Sequence, residues 1–194
     1  MLDSQARRSV LAAVAGTAAL GGCLEGTLES DSESSGVSEN GTSAEDGGDA
    51  TVDAWDETAL EDVTTGESFS IADLEPPVVV HTFASYCPTC QRQEDELGAV
   101  WDDLADDGAD TSIVSLAITD GDEPADVAAH AAENGYEWWF AVASEALVDA
   151  LVDEFGYDIS VHAESPLVVR RADGSTETLE KVAPAAEIRA AVDG

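Results

Sequence analysis

At 194 residues, 44% of them apolar, the chain is long enough for one domain with a proper core and some appendages. Its 42 acidic residues against 7 basic ones give a formal net charge of −35, which excludes nucleic acid as a partner, because phosphate contacts come from Lys and Arg. In roughly molar salt the Debye length is about 3 Å, so repulsion among so many carboxylates is largely screened. We therefore predict a folded protein of a halophilic organism, an archaeon.

Residues 1–22 have the pattern of an export signal. Arg7 and Arg8 precede a run of small apolar residues over 10–20, which is shorter than the stretch of about 18 residues that spans a membrane. The arginine pair resembles a twin-arginine export signal, and the sequence LGGC that ends at Cys23 resembles a lipobox, where a lipoprotein is cleaved and lipidated. We predict that Cys23 carries a lipid anchor at the extracytoplasmic face of the membrane. A short membrane helix is the alternative.

Residues 23–54 are dominated by Ser, Gly, Thr and acidic residues and contain no basic residue. Such a segment has too little apolar surface to fold, and its self-repulsion predicts an extended, disordered acidic tether. Apolar periodicity returns downstream, so we predict a signal peptide over 1–22, the tether over 23–54 and one domain over 55–194. Export would place this domain where disulfides persist.

From residue 76 onward, strand and helix patterns alternate. Continuous apolar, β-branched runs predict three buried strands, at residues 76–85, 111–119 and 138–143. Apolar residues at three- and four-residue steps, bounded by Pro and Gly, predict four helices, at residues 88–108, 123–135, 144–156 and 183–192. Residues 166–180 predict a hairpin with Asp173-Gly174 in its turn. Alternation followed by a hairpin predicts an α/β fold with a mixed central sheet flanked by helices.

Cys87 and Cys90 form a Cys-Pro-Thr-Cys motif where a predicted strand ends and a helix begins at Pro88. Backbone N–H groups in the first turn of a helix lack intrahelical partners and carry the positive end of its dipole. A thiolate of Cys87 is stabilised there and is the better nucleophile. Cys90 lies one turn inside, within disulfide reach and less exposed. The motif therefore predicts an attacking Cys87 and a resolving Cys90.

A structural disulfide and a metal site are the alternative roles of the cysteine pair. A disulfide across two residues restricts little chain entropy, so it would stabilise the fold little. A closed zinc site needs two ligands beyond Cys87 and Cys90. The chain has no second cysteine pair, and its only histidines are His81, His130 and His162; His130, on a helix among alanines, is expected to be structural. Dithiol–disulfide exchange without metal or cofactor is the favoured interpretation.

Residues 66–97, GESFSIADLEPPVVVHTFASYCPTCQRQEDEL, resemble the corresponding part of TlpA/ResA-type, membrane-anchored thioredoxin-like proteins. Those proteins carry a Gly-x-x-Phe-Ser-Leu-x-x-Leu lead, a buried strand, and then an aromatic residue before Cys-x-x-Cys. The resemblance extends over residues 55–194. It implies a thioredoxin-like fold with an extra strand and helix between its two halves, here residues 138–155.

The resemblance also implies which residues support the cysteines. Tyr86 stands where tryptophan is common, and Pro88-Thr89 separates the cysteines with proline first, as in glutaredoxins and the oxidant DsbA. This dipeptide tunes the reduction potential. Ser165-Pro166 falls where thioredoxins place a cis-proline opposite the active cysteines, just before a strand. All five residues are expected to support substrate binding.

His81 lies six residues before Cys87, where thioredoxins carry a buried acid that exchanges a proton with the resolving cysteine. An imidazole can act as a base near neutral pH, so His81 is a candidate proton relay for Cys90. A hydrogen-bonded core histidine is the equally weighted alternative. His162, four residues before Pro166, is expected in a loop near the cysteines, as a surface residue more than as a ligand or base.

The resemblance implies an extracytoplasmic, lipid-anchored thiol–disulfide oxidoreductase, a protein disulfide reductase more than an oxidase. Its expected partners are exported proteins with disulfides or dithiols, apocytochromes among them, and a membrane electron donor or acceptor. A Sco-like copper carrier with Cys87, Cys90 and His162 as ligands is an alternative, although that family separates its cysteines by three residues and this chain by two. A peroxiredoxin-like peroxidase is less favoured, because the residues before Cys87 lack its Pro-x-x-x-Thr-x-x-Cys pattern.

Overall fold

The computed structural model describes residues 54–108 and 111–194. The predicted signal peptide, the lipidation site Cys23 and the tether up to residue 53 lie outside the described residues. Among the described residues, no helix combines the length and apolar character needed to cross a membrane. The strands and helices follow in this order: β1 (Leu60–Glu61), β2 (Ser68–Phe69), β3 (Val78–Phe83), α1 (Pro88–Asp107), β4 (Ser112–Ala117), α2 (Pro124–Asn134), β5 (Trp139–Val142), α3 (Glu145–Phe155), β6 (Leu167–Arg170), β7 (Thr176–Leu179) and α4 (Ala185–Asp193).

A five-stranded sheet with strand order β5-β4-β3-β6-β7 forms the centre of the domain. Strands β3, β4 and β5 are parallel, whereas β6 and β7 pair antiparallel. All six residues of β3 are buried, because the strand has a neighbour on each side and packed side chains on each face. The predicted α/β fold with a mixed sheet is confirmed, and the continuous apolar run of β3 is the pattern that double burial requires.

Two groups of buried side chains cover the two faces of the sheet. The first contains Val79 and Phe83 of β3 together with residues of α1, α2 and α4. The second contains Val78 and Val80 together with residues of α3 and of the small sheet β1–β2. Alternation of side chains along β3 produces this division. Because Phe83 belongs to the first group, the site at the start of α1 is built on that face.

The ends of the helices are set by the residues that the sequence pattern indicated. Helices α1 and α2 end at Gly108 and Gly135, whose φ angles of 70° and 72° are left-handed and carry little penalty for glycine. Helix α3 begins after Ser144, whose hydroxyl accepts a backbone hydrogen bond at 3.2 Å from the first turn. The predicted ends of these helices are confirmed. Strand β3 starts two residues later than predicted, because the prolines before it have no N–H for a ladder.

The two-stranded sheet β1–β2 was not predicted from the pattern, since each of its strands has only two residues. The buried Asp62 holds the turn between them, accepting hydrogen bonds from the hydroxyls of Thr64 and Thr65 at 2.9 and 2.6 Å. The N–H of Val63 donates to the carbonyl of Phe140 in β5 at 2.8 Å. These contacts attach the N-terminal segment to the β5 edge of the central sheet.

Strand β5 and helix α3 are the extra strand and helix that the resemblance implies. The strand adds to the parallel edge of the sheet beside β4. The helix covers the second face, where Leu147 and Leu151 are buried. The insertion therefore shares a core with the rest of the domain.

If α3 is an integral part of that core, Leu147→Ala should destabilise the protein by about 2–5 kcal/mol, because a buried cavity adds to the lost transfer free energy. Unfolding by denaturant in molar salt measures the change. Asp149→Ala, at an exposed position of the same helix, serves as control and should change stability by less than about 0.5 kcal/mol. Equal effects of the two substitutions would contradict the packing described here.

Candidate active site

Cys87 immediately precedes the first turn of α1. Its Sγ accepts a hydrogen bond from the backbone N–H of Cys90 at 3.4 Å, and its own N–H donates to the carbonyl of Ala84 at 3.0 Å. Pro88, the first helical residue, has no N–H that would need a partner. Only 5% of Cys87 is exposed. Its sulfur therefore lies at the positive end of the helix, and the residue keeps a small exposed surface.

Cys90, one turn into α1, has no exposed surface. Its thiol donates a hydrogen bond to the carbonyl oxygen of His162, with the sulfur 3.1 Å from the oxygen. Burial, and after it the hydrogen bond with Cys87, raises the pKa of Cys90 to about 12. Both thiols are free. The pair is asymmetric, since Cys87 keeps a small exposed surface, whereas Cys90 is fully covered and protonated near neutral pH.

The surface around Cys87 is formed by its neighbours in the chain. Tyr86 is 61% exposed, Pro88 is exposed and Thr89 is half-buried. The ring of Tyr86 lies edge-on to the ring of His162, with centroids 5.8 Å apart. His162 therefore turns its ring toward Tyr86 and its carbonyl toward the buried thiol.

Ser165 and Pro166 lie at the same end of the sheet as the cysteines, because β6 begins there and runs antiparallel to β3. Ser165 is buried, and its hydroxyl donates to the carbonyl of Thr82 at 3.1 Å. The same hydroxyl is 3.5 Å from the carbonyl of His162, the group that accepts the thiol of Cys90. The structure thus brings the predicted Ser-Pro segment next to the cysteine pair.

The expectation of a cis bond before Pro166 is wrong. Among the described residues the cis peptide bond joins Pro76 and Pro77, and the Ser165–Pro166 bond is trans. Trans is the lower-energy form of an X–Pro bond by about 0.5–1 kcal/mol. In this conformation the N–H of Ser165 donates to the carbonyl of Val161 at 2.8 Å.

The loop between β3 and Cys87 is attached to the neighbouring strand through Asp122. This buried carboxylate, which follows β4, accepts hydrogen bonds from the N–H of Ser85 at 3.1 Å and from its hydroxyl. It also accepts the hydroxyl of Thr119. The carboxyl ends of two parallel strands thereby hold the segment that carries Cys87.

His81 lies in the middle of β3 with no exposed surface. Its Nε2 is 3.0 Å from the Nζ of Lys181, its Nδ1 has no hydrogen-bond partner, and its ring stacks on Phe83. Burial, followed by the positive charge of Lys181, lowers the pKa of His81 well below its usual 6.5. The imidazole is therefore neutral at physiological pH, and Lys181 is its contact in the core.

A second buried pair lies one turn further along α1. Glu94 has no exposed surface, and its Oε2 is 2.9 Å from the Nε2 of His130 in α2. Burial raises the pKa of Glu94, while the hydrogen bond that His130 donates to that carboxylate raises the pKa of His130. The ring of Phe83 lies between the two histidines, 5.7 Å from His81 and 5.6 Å from His130. His130 was expected to be structural on a helix among alanines, and its partner Glu94 was not predicted.

Sequence reasoning missed Glu94 and Lys181, although each left a signal. Glu94 follows Cys90 by four residues and precedes Leu97 by three, which places an acid on the apolar stripe of an amphipathic helix. Lys181 is the only lysine in a chain with 42 acidic residues. The pattern could not predict that Glu94 contacts His130 or that Lys181 contacts His81, because each histidine lies on a different element from its partner.

Within residues 54–108 and 111–194, no group of three or more His, Cys, Asp or Glu side chains is arranged to hold a metal ion. In the alternative copper site, the ligands would be Cys87, Cys90 and His162. In the structure the carbonyl of His162 accepts a hydrogen bond from Cys90, and its ring contacts the ring of Tyr86.

The strand order, the helices on both faces and the cysteine pair where β3 meets α1 define a thioredoxin-like fold. The sequence matches no protein-family profile and no curated protein. The chain is similar in structure to a secreted Mycobacterium tuberculosis disulfide oxidoreductase homologous to E. coli DsbE, with a TM-score of 0.57, 14% identity and coverage of 73% of this chain and 98% of that one.

Two further solved structures resemble the chain to a similar degree. One is BsSco, a member of the Sco family of cytochrome c oxidase assembly proteins, with a TM-score of 0.58, 17% identity and coverage of 70% of this chain and 89% of that one. The other is a thiol:disulfide interchange protein of the thioredoxin family from Chlorobium tepidum, with a TM-score of 0.55, 20% identity and coverage of 70% and 90%. At these identities the similarity establishes the fold.

Glu94→Gln should lower the pKa of His130, because the amide keeps a hydrogen-bond acceptor but loses the charge. Because the pKa of His130 is raised in the folded state, protonation of His130 stabilises the fold. This stabilisation is fully present below the usual pKa of 6.5 and is lost as the pH rises through the folded-state pKa. The variant should therefore lack that part of the pH dependence of unfolding. Histidine NMR titration and denaturant unfolding between about pH 5.5 and 9 measure both effects.

Asp95→Asn, which removes the same charge from an exposed neighbour on α1, is the matched control. An unchanged pKa of His130 in Glu94→Gln would contradict the assigned pair.

Proposed function

We propose that the protein is an exported, lipid-anchored thiol–disulfide oxidoreductase whose redox centre is the Cys87–Cys90 pair. The observation that carries the proposal is the asymmetry of the pair. The sulfur of Cys87 lies at a helix N-terminus on a residue that keeps a small exposed surface, and the fully buried Cys90 has its backbone nitrogen 3.4 Å from that sulfur. A purely structural disulfide has no need of this difference in access, whereas exchange needs one attacking and one resolving thiol.

In the reducing direction, the thiolate of Cys87 attacks one sulfur of a partner's disulfide. The partner's S–S bond breaks, a mixed disulfide forms, and the partner's other sulfur leaves as a thiolate that takes up a proton. Cys90 then loses its thiol proton to solvent, attacks the Sγ of Cys87 and displaces the partner's remaining sulfur. The partner gains two electrons, and Cys87 and Cys90 end as a disulfide. The oxidising direction is the reverse.

The exposed surface around Cys87 supports binding of a polypeptide partner. Tyr86 and Pro88 offer rigid apolar area beside the attacking sulfur, and an aromatic ring gives contact area at low entropic cost. Thr89 and Pro166 are partly exposed next to them. Ser165, buried beneath, would hold Pro166 in place through its hydrogen bond to β3.

The expected location and partners rest on the sequence. The arginine pair and the lipobox ending at Cys23 support lipid anchoring at the extracytoplasmic face of the membrane. There the partners would be exported proteins with disulfides or dithiols, apocytochromes among them. A reductase, which the resemblance favours over an oxidase, would be recharged by a membrane electron donor. The similar structures include a secreted disulfide oxidoreductase and a cytochrome c oxidase assembly protein, which is in keeping with such partners.

In the full chain carrying Cys23→Ser, Cys90→Ser should accumulate a mixed disulfide with insulin, because no second thiol can resolve it. Cys87→Ser should form none and lose the insulin-reducing activity, since the remaining thiol is buried. Mass spectrometry of acid-quenched samples in molar salt detects the adduct. Wild-type activity in Cys87→Ser would rule out the assigned roles.

The direction of electron flow should show in the reduction potential of the pair, measured against graded thiol–disulfide buffers. A value near −270 mV, about that of thioredoxin, is expected of a reductase, whereas about −120 mV would mark an oxidant. Absence of a reversible two-electron couple would overturn the proposal. Tight Cu(I) binding that is lost in His162→Ala would then favour the copper carrier.

A further inference from the structure

Lys181 follows β7, is half-buried, and places its ammonium group beside β3. Its Nζ is 3.0 Å from the Nε2 of His81, 3.3 Å from the carbonyl of Thr82 and 3.3 Å from the hydroxyl of Ser165. An ammonium group has three N–H donors and no acceptor. The three contacts match the three donors of an ammonium group, with Nε2 of His81 as one of the acceptors.

A short chain of hydrogen bonds joins this ammonium to the resolving thiol. Lys181 donates to the hydroxyl of Ser165, which lies 3.5 Å from the carbonyl of His162. The thiol of Cys90 donates to that same carbonyl at 3.1 Å. The positive charge is thus held in the surroundings of the Cys90 sulfur.

The charges of these groups act on one another. Burial lowers the pKa of Lys181, and the negative charges of Cys90, Cys87 and Glu94 act against that shift. In return, the charge of Lys181 lowers the pKa of Cys90 against the larger effect of burial. The thiol that must ionise during exchange is therefore buried next to a fixed cation.

We infer that Lys181 supplies the positive charge that stabilises the thiolate of Cys90 while this thiolate resolves the mixed disulfide. His81 is a positioning residue that holds the ammonium group. This inference rests on the proposed function. In the step concerned, the thiol of Cys90 loses its proton to solvent and its sulfur bonds to the Sγ of Cys87. The bond between Cys87 and the partner's sulfur breaks, and that sulfur leaves with the electron pair and takes up a proton. Lys181 keeps its proton throughout.

This role differs from a proton relay through His81. A relay requires the imidazole to accept the proton of Cys90, but Nε2 of His81 lies 3.0 Å from Nζ of Lys181, and Nδ1 has no hydrogen-bond partner through which a proton could arrive. A relay also predicts that the rate of resolution does not depend on the lysine charge. Electrostatic stabilisation predicts that the rate falls when this charge is removed.

The test uses the full chain carrying Cys23→Ser, reduced and mixed with dithiobis(nitrobenzoic acid) in a stopped-flow instrument. Attack by Cys87 releases one nitrothiobenzoate, and resolution by Cys90 releases a second. Lys181→Gln keeps N–H donors for the buried acceptors but removes the charge. We expect the second phase to slow about tenfold near pH 7, since one unit in the pKa of Cys90 changes its thiolate fraction tenfold. The pH profile of that phase should move to higher pH, and Lys181→Arg should restore most of the rate.

Arg171→Gln is the matched control, because it removes the same charge from the opposite end of the antiparallel strand pair. Near-UV circular dichroism checks that each variant is folded. A second phase of wild-type rate in Lys181→Gln, or equal slowing in Lys181→Arg, would overturn the inference and leave the proposed function standing. Failure of the wild type to release either nitrothiobenzoate would instead overturn the proposed function.

Discussion

The burial of strand β3 on both faces is the constraint on which the rest of the site depends. The strand has partners on both edges and core on both sides, so its direction and its carboxyl end are determined by the whole sheet. Cys87 follows that end directly and begins α1. Asp122, after the parallel neighbour, and Ser165, before the antiparallel neighbour, hydrogen-bond to the same segment. The attacking sulfur is thereby held by three strands.

Charged and titratable groups around the resolving thiol are unusual in a core of this size. Removing an ion from water costs several kcal/mol, and apolar residues of similar volume often stabilise a protein as well or better. Here Lys181 contacts His81, and Glu94 contacts His130, yet Nδ1 of His81 and Oε1 of Glu94 have no partner. Stability alone does not account for such an arrangement. The proposed control of the ionisation of Cys90 would account for it, because in that proposal the buried thiol loses a proton.

Much of the fold and the centre of the site were predictable from local pattern. The apolar run before the motif, the proline after Cys87 and the glycines that end the helices each act within a few residues, where sequence spacing determines geometry. The small β1–β2 sheet could not be predicted from the pattern, because strands of two residues carry no periodicity. The trans bond before Pro166 was not predicted either, because the expectation of a cis bond came from the resemblance and not from the local pattern.

By itself, the sequence determined that two cysteines of unequal access meet at the start of a helix behind a buried strand, since strand, motif and helix are contiguous. The tertiary structure decided what surrounds them. Residues Cys90 and Lys181 are far apart in the chain, and so are Glu94 and His130. They meet only because β6 and β7 return antiparallel beside β3 and because α2 packs on the same face as α1. Electrostatic interactions act over a few ångströms of space, and distance along the chain does not reveal them.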